Sequence, residues 1–146
     1  MPPGFIYAFG YDTPKNVPEI PILKIGKTRN TPEERLYQAH SELRNLKKKT
    51  YVMDLPLKIV GYVKVDNIDL YEEEIHKLLH SRRLGNREWF AIDKDATNKI
   101  FSEVGKKPLR EVKLDRIFSR AKSYNYIYDI AFLIFIFLFP FIVLNI

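Results

Sequence analysis

The sequence predicts a small α/β (α+β) domain, a mixed sheet of three to four strands flanked by helices, followed by one C-terminal transmembrane helix. Three observations carry this reading. Short runs of β-branched and aromatic residues alternate with stretches whose apolar side chains recur at helical spacing, the pattern of an α/β domain. A length of 146 residues suits one such domain. Finally, residues 130–146, IAFLIFIFLFPFIVLNI, hold no ionisable side chain, so the whole formal charge of +6 lies before them.

Phe5 to Phe9 (FIYAF) and Ile20 to Gly26 (IPILKIG) read as two strands of a hairpin. The stretch between them carries Gly10, Asp12, Pro14, Asn16 and Pro18, a loop composition. Pairing is expected to bring Tyr7 near Lys24. Thr31-Pro32-Glu33-Glu34 then signals a helix start: Thr31 as cap, Pro32 at the first helical position, Glu34 completing a capping box. Leu36, Ala39, Leu43 and Leu46 form the apolar stripe of that helix, and Arg35 sits just beside it, able to reach a cleft. The run Asn45 to Lys49 closes the helix with positive charge, favourable at a helix C-terminus.

Leu57 to Val65 (LKIVGYVKV) is the third strand. The next helix, capped by Asp66 or Asn67, carries Ile68, Tyr71, Ile75, Leu78 and Leu79 on one face and stops before Gly85-Asn86. Glu88 to Ile92 (EWFAI) is a short strand, and Ala96 to Val104 a further helix. Lys106-Lys107-Pro108 breaks the chain, and Val112 to Ala121 suits a basic amphipathic helix next to a membrane. The predicted order is ββαβαβα. Residues 1–104 form the folded domain, 105–124 a basic linker and 125–146 the anchor.

The anchor is argued from length. A helix over residues 130–146 spans about 26 Å, against a hydrocarbon core of about 30 Å. Tyr124, Tyr126 and Tyr128 suit an interfacial belt, and Arg116, Arg120 and Lys122 before it place the domain on the cytosolic side. The stretch Met1 to Asp12 lacks a basic region followed by a long apolar run, which agrees with a cytosolic domain. The expected location is therefore a membrane, crossed once.

With 24 Lys and Arg against 18 Asp and Glu, the folded part should attract polyanions, either nucleic acid or anionic lipid. The absence of Cys excludes disulfides, thiolate zinc sites and cysteine nucleophiles. No glycine-rich phosphate loop, nucleophile elbow or dinucleotide fingerprint is present. Glu72, His76 and His80 stand four apart in an E-x3-H-x3-H stripe, a weak zinc signal.

Gly4-Phe5-Ile6-Tyr7, Lys24-Ile25-Gly26-Lys27-Thr28, Arg35, Glu72-xx-Ile75-His76 and Glu88-Trp89-Phe90 are, in this order and spacing, similar to the GIY-YIG nuclease superfamily. They most resemble its KIG-variant branch, typified by a bacteriophage T5 open reading frame and also called meiotically-up-regulated-gene-113-like. The resemblance covers Pro3 to Ile92. It implies a phosphodiesterase fold dependent on Mg²⁺ or Mn²⁺, with Tyr7, Arg35 and Glu72 lining one cleft and Glu72 as the metal ligand. Lys24 stands where most members have a second Tyr, so a mechanism needing two phenols does not carry over intact, and Lys24 could contact phosphate instead.

The residue types suit that chemistry. Cleaving a phosphodiester needs a Lewis acid, a donor for the growing charge and an activated water. Arg35 could bind phosphate through two bonds and Tyr7 could position the nucleophile. Lys27, His40, His76, Arg83 and Arg87 are the expected substrate contacts, the last two beside Trp89 in a basic and aromatic combination. Read without the resemblance, Tyr7 is a core aromatic, Arg35 a surface ion-pair partner and Glu72 a solvated helix residue. Three functions follow as expectations: a membrane-anchored endonuclease acting on nucleic acid, DNA favoured over RNA, a catalytically weak or inactive nucleic-acid (DNA)-binding module on the same fold, or a membrane-surface interaction protein.

Overall fold

Thr31 accepts the Glu34 amide at its hydroxyl, 3.2 Å away, and so starts the first helix where the sequence places it. The computed structural model describes residues 2–46, 55–84 and 88–118. Its elements run β1 (Gly4–Tyr11), β2 (Leu23–Thr28), α1 (Pro32–Leu46), β3 (Leu57–Val65), α2 (Ile68–Leu78), β4 (Trp89–Phe90), α3 (Lys94–Glu103) and α4 (Leu114–Phe118), with short 3-10 turns at His80–Arg82 and Leu109–Glu111. The order ββαβαβα is the expected one. Asn67, rather than Asp66, caps α2 by accepting the Leu70 amide, and Asp93 caps α3 through the Ala96 amide.

The four strands lie in the order β3-β1-β2-β4, every neighbouring pair antiparallel. The sheet is therefore antiparallel throughout, not mixed. β2 and β3 run parallel to each other on either side of β1, joined by a crossover through α1, so that each hydrogen-bonded neighbour is antiparallel. The strand expected over Glu88 to Ile92 shrinks to Trp89–Phe90, which pair with Lys24 and Leu23.

Alternation along the strands divides the side chains between two faces. On one face Tyr7, Phe9 and Tyr11 pack with Ala39 of α1 and with Leu57, and Leu36, Ile59 and Trp89 close the cluster. Tyr7 stacks on Phe9 with ring centroids 4.1 Å apart, and Tyr11 stacks on Trp89 at 5.3 Å. The opposite face buries Ile6, Ala8 and Ile25 against α2 and α3, which contribute Ile75, Leu79, Ile100 and Phe101. Each large apolar side chain buried in this way stabilises the fold by about 1.5–3 kcal/mol. The layers are thus α1, sheet, then α2 with α3.

The chain divides into two units, Met1–Leu114 and Asp115–Ile146. Of the second, only residues 115–118 are described, and they belong to α4. The expected membrane segment, its flanking tyrosines, Arg120 and Lys122 lie outside the described residues, as do Lys47 to Lys49 and Arg87. Among the described residues no helix is long and apolar enough to cross a membrane.

Candidate nucleic-acid interface

Gly26 faces Tyr7 across the β1–β2 ladder, and the phenol lies over the glycine: a Cβ placed on Gly26 would stand 2.7 Å from the Tyr7 hydroxyl and 3.2 Å from a carboxylate oxygen of Glu88. The absence of a side chain is what lets the ring cross β2 toward the sheet edge. Lys24 is opposite Phe9, not Tyr7, so it stands two ladder pairs from Tyr7's own partner, Gly26. Both still belong to the same face, because their strand partners alternate in step. The Lys24 ammonium is 3.6 Å from the Glu88 carboxylate.

Arg35, on α1, lies close enough to the Tyr7 hydroxyl for its guanidinium to influence that phenol's acidity. Burial pushes the Tyr7 hydroxyl above its ordinary range; the Arg35 guanidinium pulls it back, and the negative fields of Glu88 and Glu72 push it up again. Arg35, Glu88 and Glu72 thus all shift the acidity of the Tyr7 phenol, Arg35 more than the two carboxylates.

Glu72 itself is turned to Lys27. Lys27 alternates to the α2 side of β2, where its Nζ is 2.9 Å from Glu72 and 2.7 Å from Asp69. These two bonds raise the Lys27 ammonium above its ordinary range, and the same contact lowers Asp69. Asp69 and Glu72 are three apart on α2, so both carboxylates meet the same lysine.

The two histidines are tied to backbone. Nε2 of His76 lies 2.9 Å from the Ile25 carbonyl, to which it donates, and the ring sits 5.1 Å from that of Phe90. Nε2 of His40 accepts the Leu57 amide at 3.0 Å, joining α1 to the start of β3. Both rings are half-buried and position strands, which differs from the substrate contacts expected of them. His80 falls in the 3-10 turn beyond α2, so the E-x3-H-x3-H stripe does not continue on one helix. Arg83 is exposed, its guanidinium 5.9 Å from the Phe90 ring centroid.

Three residues at this site were not singled out in the sequence. Glu88 was named only within the Glu88-Trp89-Phe90 motif, with no role given to it, and Asp69 was not named, although its i, i+3 spacing from Glu72 was legible. Tyr62 is the third: it pairs with Tyr7 on β3, is 52% exposed, and meets Phe5 edge-on at 5.8 Å. It continues the Tyr7 face outward to solvent.

A family model, the T5orf172 domain, matches residues 4–105, more than half of the chain and the whole of this site. The chain belongs to the T5orf172 domain family. No curated protein and no solved structure matches it. Membership points to a nuclease-like or DNA-binding domain. The strands and helices that carry Tyr7, Lys24, Arg35 and Glu72 all fall within the T5orf172 domain.

The divalent ion implied by the sequence resemblance does not fit this arrangement. The Glu72 carboxylate is only 15% exposed and already holds an ammonium, and the nearest helical carboxylate, Asp69, holds the same one. Among the described residues of the T5orf172 domain no three His, Cys, Asp or Glu side chains cluster closely enough to hold a metal.

Proposed function

We propose that this chain is a DNA-binding module that grips the sugar–phosphate backbone at the cleft between Tyr7, Arg35 and Lys24. The observation that carries the reading is the placement of the Arg35 guanidinium beside the buried Tyr7 hydroxyl. A guanidinium steered by a neutral hydroxyl presents a planar fork, the geometry that binds phosphate through two bonds. The formal charge of +6 and the T5orf172 domain support the same conclusion. Tyr62, exposed beside Tyr7, offers a ring on which a base can stack.

The test is fluorescence anisotropy with labelled single- and double-stranded DNA across a salt series, comparing the full chain with Arg35→Ala and Lys24→Ala. Affinity should fall steeply with salt and be weaker in both variants. Equal binding by all three proteins would remove the cleft from the interface.

A second reading, an endonuclease of the GIY-YIG type, is favoured by one observation: a phenol held by an arginine within the field of Glu72. Plasmid nicking by the full chain, with Mg²⁺, with Mn²⁺ and with chelator, tests it. Cleavage abolished by Glu72→Ala and by Arg35→Ala would establish hydrolysis. The charge-free run at 130–146 supports one further proposal, single-pass attachment to a membrane with the basic domain facing the cytosol. Co-flotation with lipid vesicles, lost on deleting that run, is the expected result.

A further inference from the structure

We infer that Lys27 is the resident cation of the Asp69–Glu72 carboxylate pair, and that it keeps a divalent metal out of the T5orf172 domain. Two acidic side chains one helical turn apart on α2 are a common beginning of a divalent-ion site, which needs oxygen ligands and tolerates water for the rest. In this chain they converge on the Lys27 ammonium, 2.7 Å from Asp69 and 2.9 Å from Glu72, separations at which a charge-assisted hydrogen bond is fully formed. The Lys27 backbone is held on β2 opposite Ile6, within the β1–β2 ladder, which directs its side chain to the α2 side of the sheet. A divalent ion arriving at Glu72 meets a positive charge already seated there and has to displace it.

Geometry gives Lys27 this role over its neighbours. Lys24, three residues earlier on β2, points to the other face and is paired with Glu88. His76, one turn after Glu72, commits its Nε2 to the Ile25 carbonyl. Glu73 turns away to Lys77 on the outer side of the helix. Lys27 is therefore a cation bonded to both carboxylates between α2 and the sheet, and it supplies without a cofactor the positive charge that the sequence resemblance assigns to a metal. The inference concerns the protein without nucleic acid and does not depend on DNA binding.

Manganese binding to the full chain, read by the loss of the free Mn²⁺ electron paramagnetic resonance signal, tests it. The proteins compared are wild type, Lys27→Met, Lys27→Gln, Glu72→Gln and the double variant Lys27→Met with Glu72→Gln. Removing a charge in contact with both carboxylates should tighten Mn²⁺ binding by about tenfold or more in both Lys27 variants, with the gain abolished in the double variant. Wild type and Glu72→Gln should be indistinguishable. Tight binding by wild type that Glu72→Gln removes would overturn the proposal, because the metal would then displace Lys27. Unchanged weak binding in both Lys27 variants, folded by circular dichroism, would overturn it too, since Lys27 would not be what excludes the ion. If neither Lys27 variant folds, the comparison of wild type with Glu72→Gln decides alone.

Discussion

The Tyr7 phenol occupies the space a side chain on Gly26 would need, its hydroxyl 2.7 Å and its Cζ 3.0 Å from the position of that Cβ. Tyr7 is 1% exposed and stacked on Phe9, so its ring cannot swing aside. Gly26→Ala should destabilise the domain by about 1–3 kcal/mol, the usual cost of overpacking a core. Urea denaturation measures it. DNA affinity should fall in parallel, because Arg35 loses the hydroxyl that steers it.

Arg35 and Tyr62 should divide the binding energy by kind. Arg35→Ala is expected to reduce the slope of log affinity against log salt by about one phosphate contact. Tyr62→Ala should leave that slope unchanged and weaken single-stranded DNA by about 1–3 kcal/mol, the loss of one stacked base. Parallel salt titrations of the two variants distinguish these outcomes.

His76 and His40 should affect stability rather than affinity. Replacing either by Ala removes a half-buried hydrogen bond to backbone and leaves the Ile25 carbonyl or the Leu57 amide without it, a cost of about 1–3 kcal/mol. Thermal unfolding should drop in both variants, while DNA affinity measured well below the transition stays within twofold of wild type.

Alkali should weaken the fold through Tyr11. Burial pushes its hydroxyl up to about 12 in the folded chain, against an ordinary value of 10.0. A raised acid keeps its proton longer when folded, so its contribution is intact below pH 10 and is lost as pH rises toward 12. Tyr7 shifts in the same direction. Unfolding free energy should decline from pH 10 to pH 12, and Tyr11→Phe should decline less.

The order of elements was legible because each carries its own local signal. Thr31 and Asn67 cap by side-chain oxygens at fixed spacing, and the β-branched run from Leu57 to Val65 is bounded by them and by Pro56. Register was not legible: Tyr7 faces Gly26 because the loop between β1 and β2 is long enough to permit several alignments, and packing over the glycine selects one. The partner of Glu72 was also hidden. Lys27 and Glu72 are far apart in sequence, and only the packing of α2 on β2 brings them together.

The middle of the sheet is occupied by the strand that leaves the ribosome first. β1 gains β2 soon after synthesis, but its other side is filled only when β3 follows, beyond the whole of α1. In that interval an apolar strand with the sequence FIYAF offers a row of open amides and carbonyls, the kind of edge that recruits identical strands from other nascent chains. Overexpressed protein should therefore be lost to inclusion bodies at the stage of translation, and slowing synthesis should recover it less effectively than supplying a chaperone that shields that edge.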